Sequence, residues 1–360
     1  MVASVVLIGG LVYAVDTAAE RAKQVAAVDK EFNDAYEKFG KAMESAKTEK
    51  DRNAALKLQP NVAAYIQKLL PVLKADAKDD AAFTALCWVI DHDEDDANAP
   101  QVFAWLEEHH RTKPTIVRVL WSVEGVSPPA EKFIRAVIKD NTDKTAQGVG
   151  HYQLANLLQN KVENGTLNEE AIAKANTEAE QLLTVVNAKF ADLPASNQPG
   201  DMEKLGAAAK KRLFELQNLA VGKLLPEFTG KDLDDKPRKL SAYKGKVLVI
   251  DVWATWCGPC RALIPHQREL VKKHKDAPFA LLSISGDDNK ADLTDFIKKE
   301  PMPWDHWFNG QGGIVEAWNI QAYPTLFIVD AKGVIRGKNV RDPHELDKLV
   351  DKLVAEAKGK

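Results

Sequence analysis

At 360 residues the chain exceeds what one hydrophobic core usually fills, so two domains are the starting expectation. Its 45% hydrophobic and 28% charged residues, with a net charge of -3, describe a soluble protein without the basic excess that draws nucleic acid or anionic lipid. Three cysteines are too few for a disulfide-stapled scaffold, and the odd number leaves at least one unpaired within the chain.

The N-terminus, MVASVVLIGGLVYAVDTAAER, carries an apolar run from Val2 to Val15 that is too short to cross a bilayer as a helix but suits the core of a secretory signal. Val12 and Ala14 offer the small residues a signal peptidase reads, although no Lys or Arg precedes the run. Residues 1–15 are therefore expected to be a signal-like segment, cleaved or kept as a weak anchor, that places the protein outside the cytoplasm. The alternative is the start of a buried helix.

Residues 16–221 are expected to form an all-helical domain. Val25, Val28, Phe32, Ala35, Phe39 and Ala42 alternate steps of three and four, an apolar stripe suited to internal packing or to a dimer through the N-terminal helices. Helices follow at 81–90, 102–110, 116–123, 131–140 and 151–160, with connectors such as DDANAP and GVSPP that punctuate short helical hairpins. Ile172, Ala175, Ala179, Leu182, Val186 and Phe190 mark a long amphipathic helix ended by ADLPASNQPGD, and a last helix spans 202–219. No fixed repeat period is present.

After Gly222 the pattern changes to strands alternating with helices, which means an α/β domain over residues 222–360. FTGKDL, Asp234-Asp235 and KPRKL predict a β-hairpin, and KVLVIDVWA a buried central strand. A helix from the cysteines, strand FALLSIS, a helix at 290–299, strand PWDHWF, helix GIVEAW and strands TLFIVD and VIRGKN follow. The last helix opens with Asp342, Pro343 and Glu345, an N-cap, an N1 proline and a capping-box partner.

In WATWCGPCRALIP, Cys257 and Cys260 sit where a buried strand hands over to a helix. That spacing allows a metal knuckle or a reversible disulfide. Zinc needs four ligands, whereas the remaining Cys87 is distant and lacks a CxxC mate, and His266 and His274 do not restore the usual spacing. The helix N-terminus favours a thiolate at Cys257, the predicted nucleophile, and Cys260, one turn inside, is placed to resolve a mixed disulfide. Pro259 fits the first turn without losing a needed donor, and Gly258 keeps the approach to the sulfur open.

DVWATWCGPC, with Pro265 eight positions beyond Cys257 and a later AYPT, resembles the thioredoxin superfamily, and the hairpin and the inserted helix and strand are most similar to its extracytoplasmic TlpA-like members. The resemblance covers about residues 223–360, and the helical half is more loosely similar to the extension of some large TlpA-like proteins. It implies a thioredoxin fold, a central mixed β-sheet flanked by helices with an N-terminal β-hairpin, behind the helical domain. It also implies a protein disulfide oxidoreductase whose Cys257–Cys260 disulfide is the redox group, with no cofactor or metal.

By resemblance, Asp251 is the buried acid that shuttles the proton of Cys260, its pKa raised by apolar surroundings. The lysine that thioredoxins often place beside it is missing from ALLSIS. Pro324 matches the cis-proline facing the disulfide, turning the Tyr323 backbone toward an extended substrate, with Thr325 beside it. Trp256 is expected to form an apolar rim for partners, Trp253 to pack in the core, and Pro265 to kink the helix. The Gly-Pro dipeptide matches reducing thioredoxins, so protein disulfides are the expected substrates and a membrane thiol donor the expected reductant.

Two other functions compete with it. A peroxiredoxin-like peroxidase would need Pro and Thr where Ile250 and Ala254 stand. A helical adaptor would use the redox domain only to dock partners. DHDEDDANAPQV imitates a calcium loop but places Asp96 and Val102 where glycine and glutamate are required, so a solvated acidic loop is expected. His109 and His110 are expected to serve a helix dipole, and Cys87 to be a core thiol.

Overall fold

The computed structural model describes residues 5–8, 11–14, 17–93, 97–123, 127–163, 167–196, 198, 200, 202–310, 313–340 and 342–359, the first two stretches as backbone. The ends of the N-terminal apolar run, Asp96 of the acidic loop, Gly125 and Val126, and Asn197, Pro199 and Asp201 of the breaker-rich connector lie outside these residues. Within the apolar run β1 (Val5–Ile8) and β2 (Leu11–Ala14) pair antiparallel, so these residues do not start a helix. Its β-branched content explains the preference.

Two compact units are present, Met1–Leu154 with Asp192–Glu203, and Ala155–Ala191 with Lys204–Lys360. The helices in order are α1 (Ala18–Ser45), α2 (Glu49–Leu56), α3 (Val62–Ala75), α4 (Asp80–His92), α5 (Ala99–His109), α6 (Val117–Ser122), α7 (Pro128–Asp140), α8 (Lys144–Glu163), α9 (Glu169–Lys189) and α10 (Leu205–Asn218). The second unit therefore takes in α9 and α10, and begins before the change of composition at Gly222.

In the first unit α1 starts with a complete capping box between Thr17 and Glu20. Of its stripe, Val25, Val28 and Phe32 are buried against α3 and α4, while Ala35, Phe39 and Ala42 are half-buried. The short α2 also packs against α1. Arg21 is anchored by Asp79 at 2.6 Å. Cys87 is a core thiol as expected, and burial pushes its pKa up to about 12, which keeps it protonated and inert. His110 departs from expectation. It is fully buried, its Nε2 bonds the Ala77 carbonyl at 2.7 Å, and burial lowers its pKa, so a neutral ring supports a backbone group rather than a helix dipole.

The second unit contains a seven-stranded mixed sheet in the order β4-β3-β7-β6-β5-β8-β9, which is the expected thioredoxin fold with its added hairpin. Its elements are β3 (Thr229–Asp232), β4 (Pro237–Lys239), β5 (Val247–Trp253), α11 (Gly258–Lys273), β6 (Phe279–Ser285), α12 (Lys290–Lys299), β7 (Asp305–Phe308), α13 (Ile314–Ala317), β8 (Thr325–Val329), β9 (Ile335–Lys338) and α14 (Pro343–Lys358). The hairpin turn holds because Asp235 takes a φ of 61°, which Asp tolerates, while Asp232 accepts from the Asp234 and Lys236 amides.

Every residue of β5 is buried, since β6 runs parallel on one side and β8 antiparallel on the other. Leu248, Ile250 and Val252 pack with Leu282, Ile284, Trp307, Trp318 and Phe327 on one face of the sheet. Val247 and Val249 pack with Leu270 of α11 and Leu346, Val350 and Leu353 of α14 on the other. At about 1.5–3 kcal/mol per fully buried aliphatic side chain, these two layers make β5 the fixed platform for whatever follows Trp253.

The helices of this unit are tied to the sheet edge by buried polar contacts. Lys338 on β9 is 8% exposed and lies 3.2 Å from Glu163 of α8 and 3.5 Å from Glu215 of α10. Glu215 also accepts from Asn319 at 2.8 Å, and Asn319 accepts from Gln321 at 2.6 Å. Glu215 is thus linked to the loop that leads to Pro324.

Candidate active site

Cys257 is the N-cap of α11, and its Sγ accepts the Cys260 amide at 3.2 Å. A sulfur in that position occupies the place of an N-cap oxygen. The cysteines form a disulfide with their Cα atoms 5.3 Å apart, 5% and 1% exposed. On reduction the same N–H and the helix dipole can stabilise a Cys257 thiolate. Both sulfurs belong to a cluster with Trp253, Ala254 and Ile264, Cys260 being the less exposed of the two. Pro259 lies in the first turn, and nothing stands within 4 Å of where a Gly258 side chain would project.

Asp251 is 2% exposed, and burial raises its pKa to about 7. Its Oδ2 accepts from Gln267 Nε2 at 2.8 Å. The strand beside it supplies Ser283 in register, whose hydroxyl accepts the Trp304 indole N–H at 2.9 Å. A carboxyl in this state can take or give a proton near neutral pH, as general acid–base chemistry requires.

The Tyr323–Pro324 bond is cis. Trp256 is 68% exposed and its ring meets Tyr323 edge-on at 5.7 Å, forming an apolar rim beside Cys257, while Trp253 is fully buried. Pro265 lies inside α11. Thr325 is 7% exposed and its hydroxyl donates to the Ala322 carbonyl at 2.8 Å. It shapes the loop instead of presenting its side chain to a partner.

Asp287 was not legible as part of this site. It is 4% exposed and accepts from the Thr255 amide at 3.0 Å, the Thr255 hydroxyl at 2.8 Å and the Ser285 hydroxyl at 2.7 Å, pinning the backbone two residues before Cys257. The available signal was its position just beyond a buried parallel strand, where α/β sheets build their sites. Gly286 matters for a steric reason, since a methyl group there would collide with the Tyr323 hydroxyl. Gly286→Ala is expected to cost roughly 1–3 kcal/mol by displacing Tyr323. Thermal unfolding checks this, and an unchanged midpoint would contradict the packing argument.

A model described as the AhpC/TSA family matches residues 221–338. The thiol-disulfide oxidoreductase ResA of Bacillus thuringiensis subsp. konkukian is 26% identical over 141 residues, 38% of this chain and 80% of that protein. The thiol:disulfide interchange protein DsbE of Vibrio cholerae serotype O1 is 32% identical over 154 residues, 40% of this chain and 81% of that protein. The solution structure of a thiol:disulfide interchange protein from Bacteroides sp. is 28% identical with a TM-score of 0.36, covering 38% of this chain and 91% of that one.

Proposed function

Because this chain belongs, through its C-terminal part, to the TlpA-like thiol-disulfide oxidoreductases of the thioredoxin superfamily, we propose that it reduces protein disulfides through Cys257 and Cys260. The observation that carries the reading is the Cys257 sulfur capping α11 under an exposed Trp256. The Cys257 thiolate attacks a substrate disulfide, forming a mixed disulfide and expelling one substrate thiolate. Cys260 gives its proton to Asp251, attacks the Cys257 sulfur and releases the second substrate thiolate, so two electrons pass from the dithiol to the substrate. The backbone at Tyr323 supports an extended substrate segment as an added strand, and Trp256 supplies apolar contact.

The reducing direction rests on the Gly-Pro dipeptide, shared with thioredoxin, whose potential is about -270 mV. The apolar run at the N-terminus supports work outside the cytoplasm. No helix among the described residues is long and apolar enough to cross a membrane. In an oxidising space the pair would stay a disulfide without a supply of electrons, so a membrane thiol donor completes the cycle. The peroxidase alternative finds apolar, fully buried Ile250 and Ala254 at the positions that would have to receive peroxide.

Trapping tests this. Cys260→Ala should accumulate protein adducts joined to Cys257 and released by dithiothreitol, which mass spectrometry identifies. Recovery no greater than from the variant lacking both cysteines would reject the reading.

A further inference from the structure

Asp251 lies on the face of β5 shared with Val249 and Trp253. From β6 it meets Ser283, already engaged by Trp304, and beyond that His306 of β7, whose Nε2 bonds the Met302 carbonyl at 3.0 Å and whose pKa burial lowers. From β8 it meets Leu326 in register, and α14 brings Leu346, Val350 and Leu353 to this face. α11 contributes Cys260, Ile264, Gln267 and Leu270, the buried side chains at spacings of three and four along one helix face. Apart from Cys260 and a neutral His306, none of these groups titrates, and none is a cation. Burial and the Gln267 bond are the influences on the Asp251 carboxyl, the first raising its pKa and the second lowering it.

Gln267 is itself 1% exposed, and a buried primary amide has a cost unless its hydrogen bond does something for the fold or the chemistry. Its Nε2 holds Asp251 Oδ2, while Asp251 Oδ1 has no hydrogen-bond partner among the described residues. We propose that Gln267 is a positioning residue for the exchange reaction: by donating to Oδ2 from the helix that carries Cys260, it substitutes for a cationic partner and leaves Oδ1 to exchange the proton of Cys260. A lysine at this place would hold the acid as a carboxylate and weaken it as a base, whereas a neutral amide orients it and leaves it able to gain and lose a proton. The Cys260 S–H bond breaks, its proton passes to Oδ1, its electron pair forms the bond to Cys257, and the substrate sulfur leaves with the electrons of the broken mixed disulfide.

This inference rests on the proposed disulfide exchange. It is tested with reduced full-length protein and 5,5′-dithiobis(2-nitrobenzoate) in stopped flow, where the first thionitrobenzoate reports attack by Cys257 and the second reports resolution by Cys260. In wild type the second phase should rise with pH along an Asp251 limb. Gln267→Leu and the unbranched Gln267→Met should each move that limb up by roughly one pH unit, the worth of one hydrogen bond to the charged form. In an Asp251→Asn background the same substitutions should move nothing. A uniform slowing at every pH, or an unmoved limb in both variants while Asp251→Asn abolishes it, overturns the role of Gln267 and leaves the exchange reaction standing. Absence of a second phase in wild type overturns both.

Discussion

Replacing Cys257 by serine is expected to lower single-turnover reduction of a protein disulfide by roughly a thousandfold or more, because a hydroxyl at the helix N-terminus is not ionised at neutral pH and cannot form the mixed disulfide. The fold should survive, since serine caps α11 at least as well as sulfur does. The same variant discriminates the adaptor reading. An adaptor would retain its partners and its cellular effect without the thiol, whereas an oxidoreductase would retain its fold and lose both turnover and trapping. Circular dichroism alongside the kinetics separates loss of chemistry from loss of structure.

Asp251→Asn is expected to make the protein more stable above neutral pH. The folded-state pKa of Asp251 is about 7, above the ordinary carboxylate value of 3.8. Below pH 4 the carboxyl is protonated in both the folded and unfolded states and contributes no difference. As pH rises from 4 to 7 the unfolded chain loses its proton first, so stability falls, and above 7 the full penalty is present, about 4 kcal/mol from a gap of about three units. Asparagine removes that slope while keeping the shape and an acceptor for Gln267. Urea unfolding at pH 5 and pH 8 measures it. The gap between variant and wild type should widen toward pH 8, and equal gaps at both pH values would mean that Asp251 is not buried with a raised pKa. The same variant should slow resolution by Cys260, so stability and exchange move in opposite directions, as expected where a fold holds a group in an unfavourable state for its chemistry.

Much of this architecture could be read from residue order because its signals are local. The run KVLVIDVWA read as a strand of the kind buried in a central sheet, the Cys257–Cys260 spacing placed both sulfurs on one helical turn, and Asp342 with Pro343 marked the start of α14 within a residue. The N-terminal stripe was legible in period but not in extent, because period does not say where a neighbouring helix ends. α2 and α3 went unmarked for a related reason: each is short or interrupted, with Pro71 inside α3. Thr325 was assigned by adjacency in a motif, and only the fold of the loop showed its hydroxyl turned back onto Ala322.

By itself the sequence determined the strand-to-helix junction that carries the two sulfurs, the apolar run before Asp251, and the change of architecture after residue 222, all consequences of spacing and hydrophobic pattern. The tertiary structure decided which groups complete the site: Gln267 beside Asp251, Asp287 beneath Thr255, and Glu215 on the Asn319–Gln321 loop, from residues 16, 32 and 104 positions away along the chain. Hydrogen bonds between elements leave no local signature, since any buried amide or carboxylate can find its partner wherever packing delivers one.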